Sequence, residues 1–274
     1  MRPDPETRLN RWPRVFVAPL WFWLGGMAGG AQVFGVLQDR LGAPHPQAAR
    51  WGSTLAFTLV SAGALLLTLE LARPLRLWRL LVTVRPASPL SIGAWTLTLF
   101  AGGSFGAALG AWGLLPPSVG AVLAWAAALL AFPLMGYTGL LLVGSARPIG
   151  SASVLPGPLF LTLGLLSGAA LHALLTPITV PEAAVTSALR LLGAGACGLL
   201  LLWLWRLSRR RRGEPRLRLL TRGRLAPYLW GGLALGTALP ALAPDPCAAP
   251  VAGLTLLGGF ALRFALFNAD LEKR

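Results

Sequence analysis

The sequence predicts an all-α integral membrane protein of about eight transmembrane helices, and three observations carry that expectation. Hydrophobic residues make up 55% of the chain and charged residues 12%, about half the charge that clothes a soluble domain. Mean hydropathy is +0.66. Six runs, Val15–Leu37, Gly52–Ala72, Ile92–Leu115, Val119–Gly144, Pro156–Thr176 and Ala184–Trp205, each hold roughly 20 apolar residues, enough to cross a hydrocarbon core of about 30 Å.

Two shorter stretches, Leu225–Leu242 and Val251–Phe267, complete the count with help from snorkelling flanks, the seventh being the least secure. Strands of alternating polarity, the mark of a membrane barrel, are absent from the sequence. Helices are therefore the way each backbone N–H and C=O finds a partner in lipid. The 33 glycines and 23 prolines fall inside or at the ends of these runs, where small residues let helices approach closely. Val15–Leu37 is too long for the apolar part of a signal peptide, so it reads as the first permanent span. No soluble domain large enough to fold alone is expected.

Net charge is +15, and the basic residues are unevenly spread. Arg2, Arg8, Arg11 and Arg14 precede the first span; Arg73, Arg76, Arg79 and Arg85 follow the second. Arg147 follows the fourth, nine arginines between Arg206 and Arg224 follow the sixth, and Lys273 and Arg274 end the chain. The opposite side has Arg40 and Arg50 alone, with Arg190 and Arg263 inside spans. By the positive-inside rule both termini face the cytoplasm. The cluster Arg209–Arg212 fits a topogenic signal that meets anionic headgroups, and no aromatic interleaving supports nucleic-acid binding.

Resident redox centres need ligands that this chain lacks. The histidines are His45, in a loop, and His172, in the fifth span; Cys197 and Cys247 lie far apart with no CxxC. Bound haem, an iron–sulfur cluster and a metal site are therefore not expected. If electrons pass through, they enter from a partner and leave on a diffusible carrier.

Ionisable groups at membrane depth are functional candidates by default. Glu70 ends the second span three residues before Arg73, where it either forms a salt bridge at the headgroup boundary or handles protons. His172 either pairs with Arg190 across helices or hydrogen-bonds a backbone carbonyl. Arg263 is more than three turns into the last span and should face the bundle interior. Of the tyrosines, Tyr228 starts the seventh span and reads as an interfacial belt residue. Tyr137 lies four residues after Pro133, where the helix is loosened. Its phenol could hydrogen-bond a ligand carbonyl or simply pack.

Three segments resemble the NrfD/PsrC family. Residues 69–95, LELARPLRLWRLLVTVRPASPLSIGAW, match its acidic residue, Arg-Pro pair, basic aromatic turn, Pro-x-Ser-Pro and Gly-x-Trp at Glu70, Arg73, Pro74, Arg76, Trp78, Pro86, Ser88, Pro89, Gly93 and Trp95. Residues 137–148, YTGLLLVGSARP, are similar to its fourth-helix motif through Tyr137, Thr138, Gly139, Arg147 and Pro148. LGGMAGGA at 24–31 is similar to its glycine-rich first helix.

The resemblance implies two four-helix bundles, spans one to four over 15–144 and five to eight over 156–268, with a basic cytoplasmic loop at 206–224. It implies a membrane anchor, in the inner membrane of a prokaryote, that binds menaquinone or ubiquinone. That anchor exchanges electrons with a ferredoxin-like iron–sulfur subunit, joined by a molybdenum-containing catalytic subunit that acts on the terminal substrate. The quinone site would use Tyr137, Thr138, Trp21 and Gly25. Protons would move through Glu70, Arg73, Arg263 and His172, and the partner would dock on Arg76, Trp78, Arg79, Arg85 and Arg147. Trp21 and Ala18 stand where some members carry a His and an Asn, and Gly150 where an aromatic residue often sits, which implies an altered quinone site. A small-molecule or ion transporter is the alternative, supported if helices break at the midplane; no repeat relates 1–144 to 156–268.

Overall fold

The computed structural model describes residues 12–40, 46–70, 82, 89–144, 155–175, 182–209, 214–246 and 249–269. Ten helical segments follow in chain order. They are α1 (Trp12–Arg40), α2 (Pro46–Glu70), α3 (Pro89–Ala111), α4 (Pro117–Gly144), α5 (Pro156–Leu174), α6 (Glu182–Ser208), α7 (Glu214–Arg222), α8 (Ala226–Leu233), α9 (Leu239–Leu242) and α10 (Ala249–Asn268). Seven of them, α1 to α6 and α10, are long and apolar enough to cross a membrane.

The seventh expected span, Leu225–Leu242, is where the sequence was least decisive. Helix α8 runs into a π-helical turn, Ala234–Ala238, and on into α9. The ring of Pro240 would collide with the carbonyl four residues back, at Gly236, and it offers no N–H. Widening the turn by one residue relieves the clash, and the Leu239 N–H accordingly donates to Ala234 O, five residues back. The three pieces together rise about 25 Å, a short span.

Helix ends follow their capping residues rather than the hydropathy. The third span stops at Ala111, short of the expected Leu115. Gly113 there adopts φ +78°, the Leu114 N–H bonds Leu109 O at 2.8 Å and the Gly113 N–H bonds Gly110 O at 3.0 Å. This is a Schellman stop, which needs a left-handed residue; Pro116 and Pro117 then launch α4. Arg50 ties the corner, donating from Nε to Ala111 O at 2.9 Å with its guanidinium over Trp112.

Helices α1, α2, α3 and α4 pack in a closed ring, each against two neighbours. A second ring joins α5, α6, the α8–π–α9 segment and α10. The rings share a seam, where α5 lies against α1 and α4 and α10 lies against α1. At its centre Gly26 and Gly30 of α1 meet Gly164 and Gly168 of α5. A Cβ at Gly30 would strike Gly168 Cα at 2.8 Å, so two small-xxx-small pairs let the backbones touch. Large residues exposed on the outer faces, among them Leu99, Val122, Leu129, Leu191 and Leu257, are what a lipid-facing surface requires. Between α6 and α8, α7 turns Leu220 inward and leaves Arg218 and Arg222 exposed.

Candidate functional site

Tyr137 sits near the C-terminal end of α4 with its side chain half-buried. Its ring occupies a notch in α3 created by Gly93. A Cβ at Gly93 would lie 2.5 Å from Tyr137 Cζ and 2.6 Å from its hydroxyl oxygen. Gly93 belongs to the first family-like segment and Tyr137 to the second, so α3 and α4 bring two separated motifs into contact. Only a residue without a side chain lets the phenol reach that position.

Trp21 lies at the same end of the first bundle. It is buried, and its ring fills a second glycine notch, at Gly63 of α2, where a Cβ would fall 2.6 Å from Trp21 Cζ3. Gly25 is buried one turn further along α1, 3.8 Å from the same ring by its Cβ direction. The end of α2 that carries Glu70 and the start of α3 face this level too. Two aromatic side chains seated on glycines thus mark one end of the bundle. The side chains of Glu70 and Thr138, together with Arg73, Arg76, Trp78, Arg79, Arg85 and Arg147, lie outside the described residues.

The other two proton-transfer candidates sit elsewhere, on the seam between the bundles. Arg263 is 1% exposed, as the sequence led one to expect. Its Nη1 donates to Gly259 O at 3.0 Å, while Nε and Nη2 have no hydrogen-bond partner among the described residues. The guanidinium lies 6.0 Å from the Phe160 ring centroid, and a Cβ at Gly26 would fall 2.7 Å from Nη2. Gly26 and Gly164, on either side, are at the middles of α1 and α5. The side chain leans back toward the start of α10, as helical side chains do, and so carries its charge to mid-membrane depth.

His172 is fully buried near the end of α5. Its Nε2 donates to Ala31 O of α1 at 3.1 Å, because a carbonyl can only accept, and Nδ1 has no partner among the described residues. Of the two expectations for His172, the backbone carbonyl is the one realised. Arg190 turns away, donating from Nη2 to Pro244 O at 2.8 Å. The seam is lined by aromatics: Phe22 meets Phe160 and Phe267 edge-on, and Trp23 donates from Nε1 to Leu256 O at 3.0 Å.

Sequence reasoning passed over the buried polar groups of the first bundle, of which two lie deepest. Gln32 of α1 and Ser104 of α3 are both fully buried. Gln32 donates from Nε2 to Ala124 O of α4 at 3.2 Å, while its Oε1 and the Ser104 hydroxyl have no partner among the described residues. The signal was there: an amide between Ala31 and Val33 in an apolar run is expensive unless used. Groups of three or more metal-ligating side chains are absent among the described residues.

An all-helical architecture with seven helices able to cross a membrane and large apolar residues on its outer faces defines a multi-pass membrane protein. Residues 11–272 match the family of polysulfide reductases of the NrfD type, and the chain belongs to that family. Membership implies a membrane subunit working with other subunits of a respiratory oxidoreductase complex. No curated protein matches the sequence closely enough to add to this.

Proposed function

We propose that the chain is the quinone-reactive anchor of such a complex, exchanging electrons between a membrane quinone and an iron–sulfur subunit. The single observation that carries the reading is the seating of Tyr137 in the Gly93 notch, at the bundle end that bears the arginine-rich segment 71–88. A half-buried phenol in an apolar wall offers one directed hydrogen bond to a carbonyl, which is what holds a quinone headgroup in register. The residues fit that ligand class: two aromatic faces, small residues beside them, and the phenol's polar edge.

Menaquinone or ubiquinone, when bound, supplies two-electron, two-proton redox chemistry. The chain's own residues do the remaining work. Tyr137, with Thr138, orients the headgroup carbonyl; Trp21 and Gly25 shape the apolar wall. Glu70, on the last turn of α2, exchanges protons with the adjacent surface, with Arg73 as the neighbouring cation that tunes its carboxylate, and Arg263 and His172 set the polarity of the seam. Arg76, Trp78, Arg79, Arg85 and Arg147 form the docking surface for a ferredoxin-like subunit. A molybdenum-containing subunit then acts on the terminal substrate, so this chain alone does not. In this reading the chain sits in the inner membrane of a prokaryote, and the charge bias supports a cytoplasmic side for this end and both termini.

A transporter reading would need helices unwound near the midplane. Among the described residues, the helix broken by a π turn continues on both sides of it, which does not favour that reading.

The test is Tyr137→Phe in the purified complex. Loss of one ligand hydrogen bond of about 1 kcal/mol or more should lower quinol turnover on the order of tenfold. The subunits should still co-purify. Turnover equal to that of the native complex would remove Tyr137 from the site.

A further inference from the structure

At the other end of the first bundle, away from Tyr137, a cavity of about 220 Å³ opens between the ends of all four helices. Its lining includes Val36 and Asp39 of α1, Ser53 of α2, Ala107 of α3, and Gly120 and Ala124 of α4. At about 30 Å³ per molecule this is room for several waters, and the lining supplies a carboxylate, a hydroxyl and backbone carbonyls to hold them.

The cavity floor adjoins two of the polar groups left without a partner among the described residues, Gln32 and Ser104. Gln32 is one turn deeper than Val36 on the same face of α1, and Ser104 one turn deeper than Ala107 on α3. The amide of Gln32 is bonded to the carbonyl of Ala124, itself a lining residue. A buried amide oxygen and a buried hydroxyl without partners among the described residues each call for water. One turn deeper again the polarity ends. Phe100, on the Ser104 stripe of α3, is fully buried, and so are Ala131 and Met135 of α4.

We propose that this cavity is a water-filled inlet, open to the face that carries the α1–α2 and α3–α4 connections and ending blind at Gln32 and Ser104 beneath Phe100. It brings water and exchangeable protons into the bundle from the face opposite Tyr137. Its role in proton supply rests on the quinone reading above; its existence does not.

Thiol accessibility in the full chain tests it. In a Cys197→Ser, Cys247→Ser background, Ser104→Cys and Ala131→Cys are each exposed in sealed membranes to a small, charged, membrane-impermeant thiol reagent. The reagent is applied to one face at a time. Leu114→Cys, in the exposed α3–α4 connection, reports the face reached. Ser104→Cys should be labelled from the same face as Leu114→Cys and protected from the other, with Ala131→Cys, which leaves Phe100 in place, unlabelled from both. An unlabelled Ser104→Cys beside a labelled Leu114→Cys overturns the inlet. So does labelling of Ala131→Cys, because the passage would then not be blind. Ala107→Cys, in the cavity lining, guards against a Ser104 variant that fails to fold: it should be labelled as Leu114→Cys is, and its protection would equally sink the proposal. Absence of quinol turnover in the native complex would instead sink the functional reading and leave the labelling pattern untouched.

Discussion

A guanidinium at the centre of a bilayer costs about 2.5–3.5 kcal/mol on insertion scales, and Arg263 carries that cost with no carboxylate beside it among the described residues. Burial of a charge without a paired partner is poor design for stability alone, since an apolar residue of similar volume usually does as well or better. Arg263→Met should therefore keep or raise the melting temperature of the detergent-solubilised complex while lowering its quinol turnover. A variant that is both more stable and as active would assign Arg263 to packing. The Gly93 notch makes a second prediction at this scale. Gly93→Ala puts a methyl 2.5 Å from Tyr137 Cζ, so the phenol must leave its seat although its chemistry is untouched. Turnover should fall about as far as in Tyr137→Phe, whereas Gly102→Ala, with nothing within 4 Å, should leave it unchanged. Equal activity of the two alanine variants would show that the seat is not needed.

The helices carry two kinds of glycine, and they make opposite predictions. Gly30 and Gly168 sit at the α1–α5 crossing, where an added Cβ would run into backbone that cannot yield. Gly30→Ala should separate the two bundles and lower the yield of folded protein and its melting temperature. Gly198 of α6 and Gly253 of α10 have open space at their Cβ positions. Replacing either by alanine should be neutral, or stabilising by about 0.5–1 kcal/mol through lower backbone entropy. Thermal unfolding of the three variants in one detergent distinguishes the classes; uniform destabilisation would mean that the crossing is not special. The π turn belongs to this scale as well. Pro240 explains it locally, and Gly236 opposite Gly258 lets the widened turn still lie close to α10.

For the molecule as a whole, family membership and the lack of metal-ligating clusters among the described residues make a compositional prediction. Purified from native membranes in mild detergent, the chain should bring with it a companion polypeptide, stoichiometric iron and quinone. A single chain recovered intact with neither iron nor quinone would point away from an electron-transfer complex and toward transport. The two-ring architecture gives this prediction a place, since the aromatic seats lie at the end of the first ring where α2 stops and α3 starts. The seam to the second ring holds the buried arginine and histidine instead.

Hydropathy determines the spans because bilayer thickness and helical rise leave little freedom: the six long runs and the shorter Val251–Phe267 became seven helices able to cross a membrane. The seventh expected span, Leu225–Leu242, was ambiguous for a local reason, Pro240 inside a short run. Tyr137 was legible as a candidate because a phenol inside an apolar helix is rare, and Arg263 because a charge at that depth is costly. Tertiary structure decided the rest. Which glycine faces which side chain depends on helix rotation and crossing, and hydropathy does not constrain either when every face is apolar. Hence the pairing of Gly93 with Tyr137, the choice of Ala31 O over Arg190 for His172, and the cavity above Gln32 and Ser104 appeared only once the helices were packed.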